Sequence, residues 1–143
     1  MTRPDAVFFD TNVLLYLFSR DDPDKQRVAE SLFAEATRAG SATVSTQVLQ
    51  EFYAVATRKL AEPLVHATAR LAAQGFSEQN VVRLESSMLL KAMDRSVADT
   101  LSFWDAVIVE AALAGGCRTL YSEDFQHGRA FGPLRVVDPF RRD

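Results

Sequence analysis

The 143-residue chain is poor in the side chains that many enzymes use as nucleophiles or as soft metal ligands. Its single cysteine, Cys117, excludes a disulfide within the chain and favours a reducing compartment. The two histidines, His66 and His127, lack the spacing of a zinc-binding pair. The six glycines form neither a phosphate-binding loop nor a nucleotide fingerprint. These absences argue against zinc enzymes and P-loop proteins, and no Ser-His-Asp arrangement is present either.

Long hydrophobic runs are also missing. No apolar stretch approaches the ~20 residues of a membrane span, and the N-terminus, MTRPD, lacks the hydrophobic segment of a signal peptide. Hydrophobic residues make up 48% of the chain and charged residues 24%. We therefore expect one domain over residues 1–143 in a soluble, cytoplasmic protein.

The net charge of −3 at first argues against an anionic partner such as RNA. Four of the acidic residues, Asp10, Glu51, Asp105 and Asp124, are candidates for a shared site. Without those four the net charge becomes +1, and bound divalent cations would raise the local potential further. The overall charge therefore does not decide the question.

Short apolar runs alternate with longer helical patterns, which predicts an α/β domain built around a mostly parallel sheet. The first run, Ala6–Phe9, does not alternate with polar residues, so we expect a strand buried on both faces. The predicted strands, in chain order, are 6–9, 43–45, 81–84, 118–122 and 134–137.

Capping residues, prolines and glycines bound the predicted helices. The predicted starts are Asn12 or Val13, Asp24, Thr46 as an N-cap, Pro63, Ser86 or Ser87 as a cap, and Ser102 as the cap of a helix over 103–114. The predicted ends are Gly40, about Leu60, Gly75 and Gly115.

The four candidate acids fall where the hydrophobic pattern predicts buried side chains or strand ends. Acidic side chains are almost never fully buried unless they are paired or bind a metal. The chain offers no matching set of basic residues at these places, so a shared cation is the simplest way to reconcile the four charges. We interpret the set as a metal-dependent phosphodiesterase site.

Each of the four acids also has an ordinary structural interpretation. Asp10 and Asp124 follow strand-like segments, and either could cap or start a helix. Glu51 interrupts an apolar helix stripe but could lie at its solvated edge. Asp105 is the least ordinary, because its helix is so apolar that a buried acid there would cost stability unless compensated.

The candidate ligands are all oxygen atoms, which favours Mg²⁺ or Mn²⁺ over zinc. Asn12 and Ser122 are short polar residues beside two of the acids and are suited to orienting them, although either could be an ordinary cap. Arg20, Arg58 and Lys59 are candidates for contacts to an RNA backbone, with a solvated surface position as the alternative.

Four motifs follow one another along the chain: FDTNVL at 9–14, QEFY at 50–53, LSFWDA at 101–106 and YSEDF at 121–125. In these motifs the chain resembles PIN-domain ribonucleases, and in particular the VapC-type toxins of bacterial toxin-antitoxin modules. The resemblance implies a parallel sheet of about five strands with helices on both sides. It also implies that Asp10 and Asp105 are primary metal ligands and that Glu51 and Asp124 complete the pocket.

The resemblance further implies Mg²⁺- or Mn²⁺-dependent hydrolysis of RNA, a homodimer, and a small antitoxin whose C-terminal segment lies across the cleft. A guanidinium group would suit such a pocket, because it presents planar paired donors to carboxylates.

Three other functions are considered. A stand-alone RNA-processing nuclease would have the same site. A non-catalytic PIN module that binds RNA or protein is disfavoured because all four acids are present. A phosphatase of the haloacid-dehalogenase type would need a second aspartate two residues after Asp10, where this chain has Asn12.

Overall fold

A six-stranded sheet forms the centre of the computed structural model, which describes residues 5–142. The strand order is β3-β2-β1-β4-β6-β5, and every pairing is parallel except that between β5 and β6. The strands are β1 (Val7–Phe9), β2 (Ala42–Ser45), β3 (Asn80–Val82), β4 (Thr119–Tyr121), β5 (Ala130–Phe131) and β6 (Leu134–Val137). Residues 1–4 and 143 of the predicted domain lie outside the described part.

Six helices flank the sheet within the described residues. They are α1 (Thr11–Tyr16), α2 (Pro23–Ala39), α3 (Thr46–Ala56), α4 (His66–Ser77), α5 (Ser86–Ala98) and α6 (Phe103–Ala114). All four residues of β2 are buried, although successive side chains point to opposite faces of a sheet. Both faces of the sheet are therefore covered, which confirms the predicted α/β fold class. None of these helices combines the length and the apolar character needed to cross a membrane.

The best predicted element is α6. Ser102 caps it by accepting a hydrogen bond from the Asp105 N–H at 3.1 Å, as the sequence suggested. Apolar residues surround most of this helix, and six of its twelve residues are buried. It therefore forms a core helix that carries Asp105 next to the sheet.

Five predicted helix boundaries are wrong, and hydrogen bonds explain two of them. Helix α3 ends at Ala56 rather than about Leu60, and Glu85 rather than Ser86 or Ser87 is the N-cap residue of α5. Pro63 does not open a helix, because the N–H of the next residue, Leu64, bonds to the carbonyl of Ala56, the last residue of α3, at 2.9 Å. Gly75 lies inside α4 rather than ending it. Ser45, not Thr46, caps α3, because the Thr46 hydroxyl instead accepts a hydrogen bond from Leu84 N–H at 3.3 Å.

The sheet has one strand more than the predicted five. Residues 130–131 form the short β5, which pairs antiparallel with β6 at the edge of the sheet. A two-residue strand gives no alternating pattern in the sequence. Its existence depends on the turn at Gly132, where φ is +59°, a conformation that glycine adopts without strain.

The order of the strands creates a topological switch point at β1. The chain runs from β1 outward to β2 and β3, then returns to place β4 on the other side of β1. In open parallel sheets, ligand sites lie beyond the carboxyl ends of the strands at such a point. The residues that follow β1 and β4 are Asp10 and Ser122–Asp124.

Two glycine variants test how closely α6 packs against the sheet. A Cβ at Gly115 would lie 3.0 Å from Val82 Cγ2 and 3.2 Å from Thr43 Cγ2, whereas a Cβ at Gly75 would meet nothing within 4 Å. We expect Gly115→Ala to lower the free energy of unfolding by about 1–2 kcal/mol through overpacking. Gly75→Ala should raise it by about 0.5–1 kcal/mol through better helix propensity. Urea denaturation of both variants measures the difference, and equal effects would contradict the packing argument.

Candidate active site

Asp10 is the most buried of the four acids. Its side chain caps α1, with Oδ1 accepting a hydrogen bond from the Thr11 N–H at 2.8 Å. Oδ2 accepts a hydrogen bond from the Ser122 hydroxyl at 2.7 Å. The residue is 6% exposed, and burial raises its pKa to about 7 despite those two hydrogen bonds. Asp10 is thus both a helix cap and a desolvated acid.

The segment after β4 brings Asp124 to the same edge of the sheet. The Ser122 hydroxyl oxygen accepts a hydrogen bond from the Asp124 N–H at 3.1 Å while the hydroxyl itself bonds to Asp10. Asp124 is exposed, and its negative charge raises the pKa of each of the other three acids. Its charge therefore acts on Asp10, Glu51 and Asp105 together.

Glu51 approaches from α3 and is half-buried. Its Oε1 accepts a hydrogen bond from the Thr11 hydroxyl at 3.2 Å, so Thr11 connects Asp10 to Glu51. Burial raises the pKa of Glu51, repulsion from Asp105 and Asp124 raises it further, and hydrogen bonds from Thr11 and Gln47 oppose the rise. Glu51 is therefore close enough to Asp105 and Asp124 for their charges to act on it, although part of its side chain remains in solvent.

Asp105 sits in the first turn of α6, partly buried. Burial again is the main cause of its raised pKa, repulsion from Asp124 adds to it, and a hydrogen bond from Ser102 opposes it. The sequence predicted this desolvation from the apolar character of α6. The helix N-terminus offers Asp105 a favourable dipole, but no basic side chain of the described residues pairs with it.

None of the four acids forms an ion pair within residues 5–142. Carboxylates that are desolvated, mutually repelling and without countercharge are electrostatically costly. The chemistry of this donor set fits a hard divalent cation.

Two buried amide side chains next to the acids have polar atoms without a hydrogen-bond partner in the described part of the chain. Asn12 Oδ1 and Nδ2 are both buried without a hydrogen bond in the described part of the chain, and so is Gln47 Oε1. Asn12 follows the α1 cap directly, and Gln47 lies one turn before Glu51 in α3. Unsatisfied buried polar atoms are rare in native proteins and often mark functional sites. Asn12 is buried two residues after Asp10 but makes no hydrogen bond to any of the acids, so its orienting role stays a prediction.

The side chains do not form a ready-made metal cage. Among residues 5–142, no three acidic, histidine or cysteine side chains are arranged to hold one ion. The fit to a cation therefore lies in the chemistry and charge of the donors, and binding would have to draw the carboxylates closer together.

The predicted basic residues are on the surface. Arg20 pairs with Glu62 at 3.9 Å, with both side chains mostly exposed, which gives little stability. Arg58 and Lys59 are exposed just beyond the end of α3 and make no ion pair in the described part of the chain. Their side chains are accessible to a polyanion.

Sequence reasoning missed three residues of this region. The Thr11 hydroxyl donates a hydrogen bond to Glu51, and the Gln47 amide opposes the rise in the Glu51 pKa while donating to the Trp104 carbonyl at 3.3 Å. Glu123 is held by Tyr16 and Lys25. Gln47 had a readable signal, since it precedes Glu51 by four residues on one helix face. Glu123 had none, because its partners lie about one hundred residues away in sequence.

Comparisons with known proteins agree with this fold. A family model described as PIN domain matches residues 7–130. The crystal structure of Mycobacterium tuberculosis VapC20, described as a sarcin-ricin loop cleaving toxin, has a TM-score of 0.66 at 20% identity, covering 85% of this chain and 92% of that one. A toxin-antitoxin complex from Klebsiella pneumoniae has a TM-score of 0.68 at 18% identity, covering 96% and 100%. At these identities the two structures establish a shared fold. No curated protein matches the sequence.

The buried acids predict an unusual dependence of stability on pH. The folded chain keeps the Asp10 proton up to about pH 7, whereas the unfolded chain loses it near pH 4. Between those values the folded state binds the extra proton, so the free energy of unfolding should fall as pH rises from 4 to 7. The raised pKa values of Glu51 and Asp105 act in the same direction.

Urea denaturation at pH 5 and pH 8 with a chelator present measures this effect. The Asp10→Asn variant keeps the cap but carries no charge, so at pH 8 it should be more stable than wild type, by on the order of 2 kcal/mol. Its stability should also vary less with pH. An Asp10→Asn variant that is less stable than wild type at pH 8 would mean that the Asp10 charge is compensated in solution.

Proposed function

The chain belongs to the PIN domain family, and on that basis we propose that it is a Mg²⁺- or Mn²⁺-dependent endoribonuclease, the toxin of a VapBC-type toxin-antitoxin pair. One observation carries the proposal. Four carboxylates without countercharge lie at the carboxyl edge of a parallel sheet, and the charge of Asp124 acts on the other three. Such a site is built to attract a cation and, through it, a phosphodiester.

Asp10, Glu51, Asp105 and Asp124 would hold the ion. When bound, a divalent cation supplies Lewis-acid activation of water and stabilises charge on the phosphate oxygens. Ser122 and Thr11 orient the carboxylates, since their hydroxyls bond to Asp10 and Glu51. Because Asp10 has a pKa of about 7, it must lose a proton to become a ligand, so we expect metal affinity to rise with pH.

Exposed side chains supply the RNA contacts in the proposal. Arg58 and Lys59 would pair with backbone phosphates, and Arg20 would do so after exchanging Glu62 for a phosphate. Trp104 precedes Asp105 in α6 and is 66% exposed, which is unusual for a side chain of this size. An exposed indole suits stacking on an unpaired base, and single-stranded RNA is commonly recognised in this way.

The partner in this proposal is a small antitoxin. The similar Klebsiella pneumoniae structure is a toxin-antitoxin complex, and an uncompensated acidic pocket is a suitable receptor for an arginine. Tyr53 of α3, which is 38% exposed, offers apolar contact surface for it. A homodimer and a cytoplasmic location complete the proposal and follow from the resemblance to VapC-type toxins.

Loss of RNA cleavage in amide variants tests the site. Asp10→Asn and Asp105→Asn keep side-chain shape but remove ligand charge, so we expect either to reduce cleavage of total RNA with Mn²⁺ by at least about 100-fold. Excess chelator should abolish wild-type cleavage. Asp94→Asn, an exposed acid of α5, serves as the control and should cleave normally.

Melting curves separate metal binding from misfolding in the same variants. Mn²⁺ should raise the melting temperature of wild type, because a ligand of the native state stabilises it. Metal-free Asp105→Asn should melt no lower than metal-free wild type and should respond less to Mn²⁺. Undiminished cleavage by Asp105→Asn, or by wild type in chelator, would rule out the proposed chemistry.

Expression in bacteria tests the toxin assignment. We expect the wild-type chain alone to arrest growth, the Asp105→Asn variant to be harmless, and co-expression with a short protein encoded next to it to restore growth. If wild type cleaves RNA in vitro but does not arrest growth, and no adjacent small protein binds it, the chain is a stand-alone RNA-processing nuclease.

A further inference from the structure

Glu123, which precedes Asp124, is held by two side chains from distant parts of the sequence. The Tyr16 hydroxyl donates a hydrogen bond to Glu123 Oε1 at 2.5 Å, and Lys25 Nζ donates one to Oε2 at 2.9 Å. Lys25 Nζ also donates to the Tyr16 hydroxyl oxygen at 3.1 Å. The three polar groups therefore form one closed cluster.

This cluster is shielded from solvent, unlike the surface ion pairs of the chain. The Lys25 and Glu123 side chains are 32% and 23% exposed. Lys25 Nζ lies 4.8 Å from the centroid of the Tyr16 ring and 5.4 Å from that of the Phe140 ring. Charge-assisted hydrogen bonds flanked by aromatic rings are stronger and more fixed than solvated ones.

Asp124 itself has little to hold it. Its carboxylate makes no hydrogen bond in the described part of the chain, and residues 123–125 form a bend between β4 and β5. Three side chains anchor this bend: Ser122 on Asp10, Glu123 on Tyr16 and Lys25, and the buried Phe125. Ser122 and Glu123 are the two polar side chains of this set, and of these only Glu123 contacts α2, through Lys25.

Helix α1 links the two ends of the arrangement. It begins beside Asp10, its cap, and ends at Tyr16. Two hydrogen bonds therefore join α1 to the segment after β4, one at each end of the helix. The first links Ser122 to Asp10, and the second links Tyr16 to Glu123. Together the two bonds fix where Asp124 stands relative to Asp10.

We propose that Tyr16 and Lys25 are positioning residues that hold Glu123 and thereby set the place of the Asp124 carboxylate in the site. The inference rests on the proposed function, in which Asp124 is a ligand of the divalent cation. Neither Tyr16 nor Lys25 is itself a ligand. Contacts that orient metal-binding side chains typically change metal affinity by about 10–100-fold when removed.

The test compares Tyr16→Phe and Lys25→Met with a matched control, Arg27→Met. Arg27 is also on α2 and also forms an ion pair, with Asp24. That pair is exposed and includes no residue of the bend. In metal-free protein, hydrogen exchange of the amides of residues 122–125 should be faster in the two test variants than in wild type and the control. Mn²⁺ affinity, measured by calorimetry, should fall about 10-fold in the test variants only.

Two further variants separate positioning from general stability. Lys25→Arg should restore Mn²⁺ affinity, because a guanidinium still donates to Glu123. In an Asp124→Ala background, Lys25→Met should not weaken Mn²⁺ binding further, because the effect passes through Asp124. A loss of equal size in both backgrounds would mean that Lys25 acts on the fold as a whole and would overturn the inference.

The outcomes distinguish this inference from the proposed function. If wild type binds Mn²⁺ and cleaves RNA while Lys25→Met behaves like Arg27→Met, the positioning role is wrong and the nuclease assignment stands. If wild type neither binds Mn²⁺ nor cleaves RNA, the proposed function is wrong. Hydrogen exchange in metal-free protein then decides whether Tyr16 and Lys25 hold the bend in place. Unchanged exchange at residues 122–125 in the two test variants would overturn that role.

Discussion

The carboxylate of Asp10 is buried at the end of the central strand without a positive charge to balance it. The site depends on this constraint. Its two hydrogen bonds, from the Thr11 N–H and the Ser122 hydroxyl, satisfy its oxygens but do not remove the cost of desolvation, so its pKa rises to about 7. The same bonds fix the start of α1 and the segment after β4. A group that is costly to bury thus also organises the structure around it.

The sheet topology explains why the other acids gather near Asp10. Reversal of strand order at β1 places β2 and β4 on either side of it, and α3, which follows β2, carries Glu51 to the same edge. Helix α6 packs near β2 and presents Asp105 from its first turn. Four sequence segments therefore deliver one acid each to one edge. Lys25 forms its ion pair with Glu123, the residue before Asp124, and with none of the four acids.

Much of this arrangement could be predicted from local sequence. The buried strand before Asp10, the Ser102 cap, and the apolar helix around Asp105 each have a pattern that local physical chemistry explains. Two of the predictions that failed were overridden by hydrogen bonds that link one element to a later segment. Pro63 begins no helix because Leu64 bonds back to Ala56, and Thr46 is not a cap because Leu84 uses its hydroxyl. The strand at 130–131 is too short to show periodicity.

Local patterns were sufficient for the fold class and for selecting the four acids as candidates, because periodicity, caps and residue chemistry are properties of short segments. The contacts that organise the site follow from packing in three dimensions. The Thr11 hydroxyl bonds to Glu51, Ser122 bridges Asp10 to the Asp124 backbone, and Glu123 belongs to a shielded cluster with Tyr16 and Lys25. These contacts join residues as much as 112 positions apart. Their energies depend on burial and distance, which the packing of the sheet and helices sets.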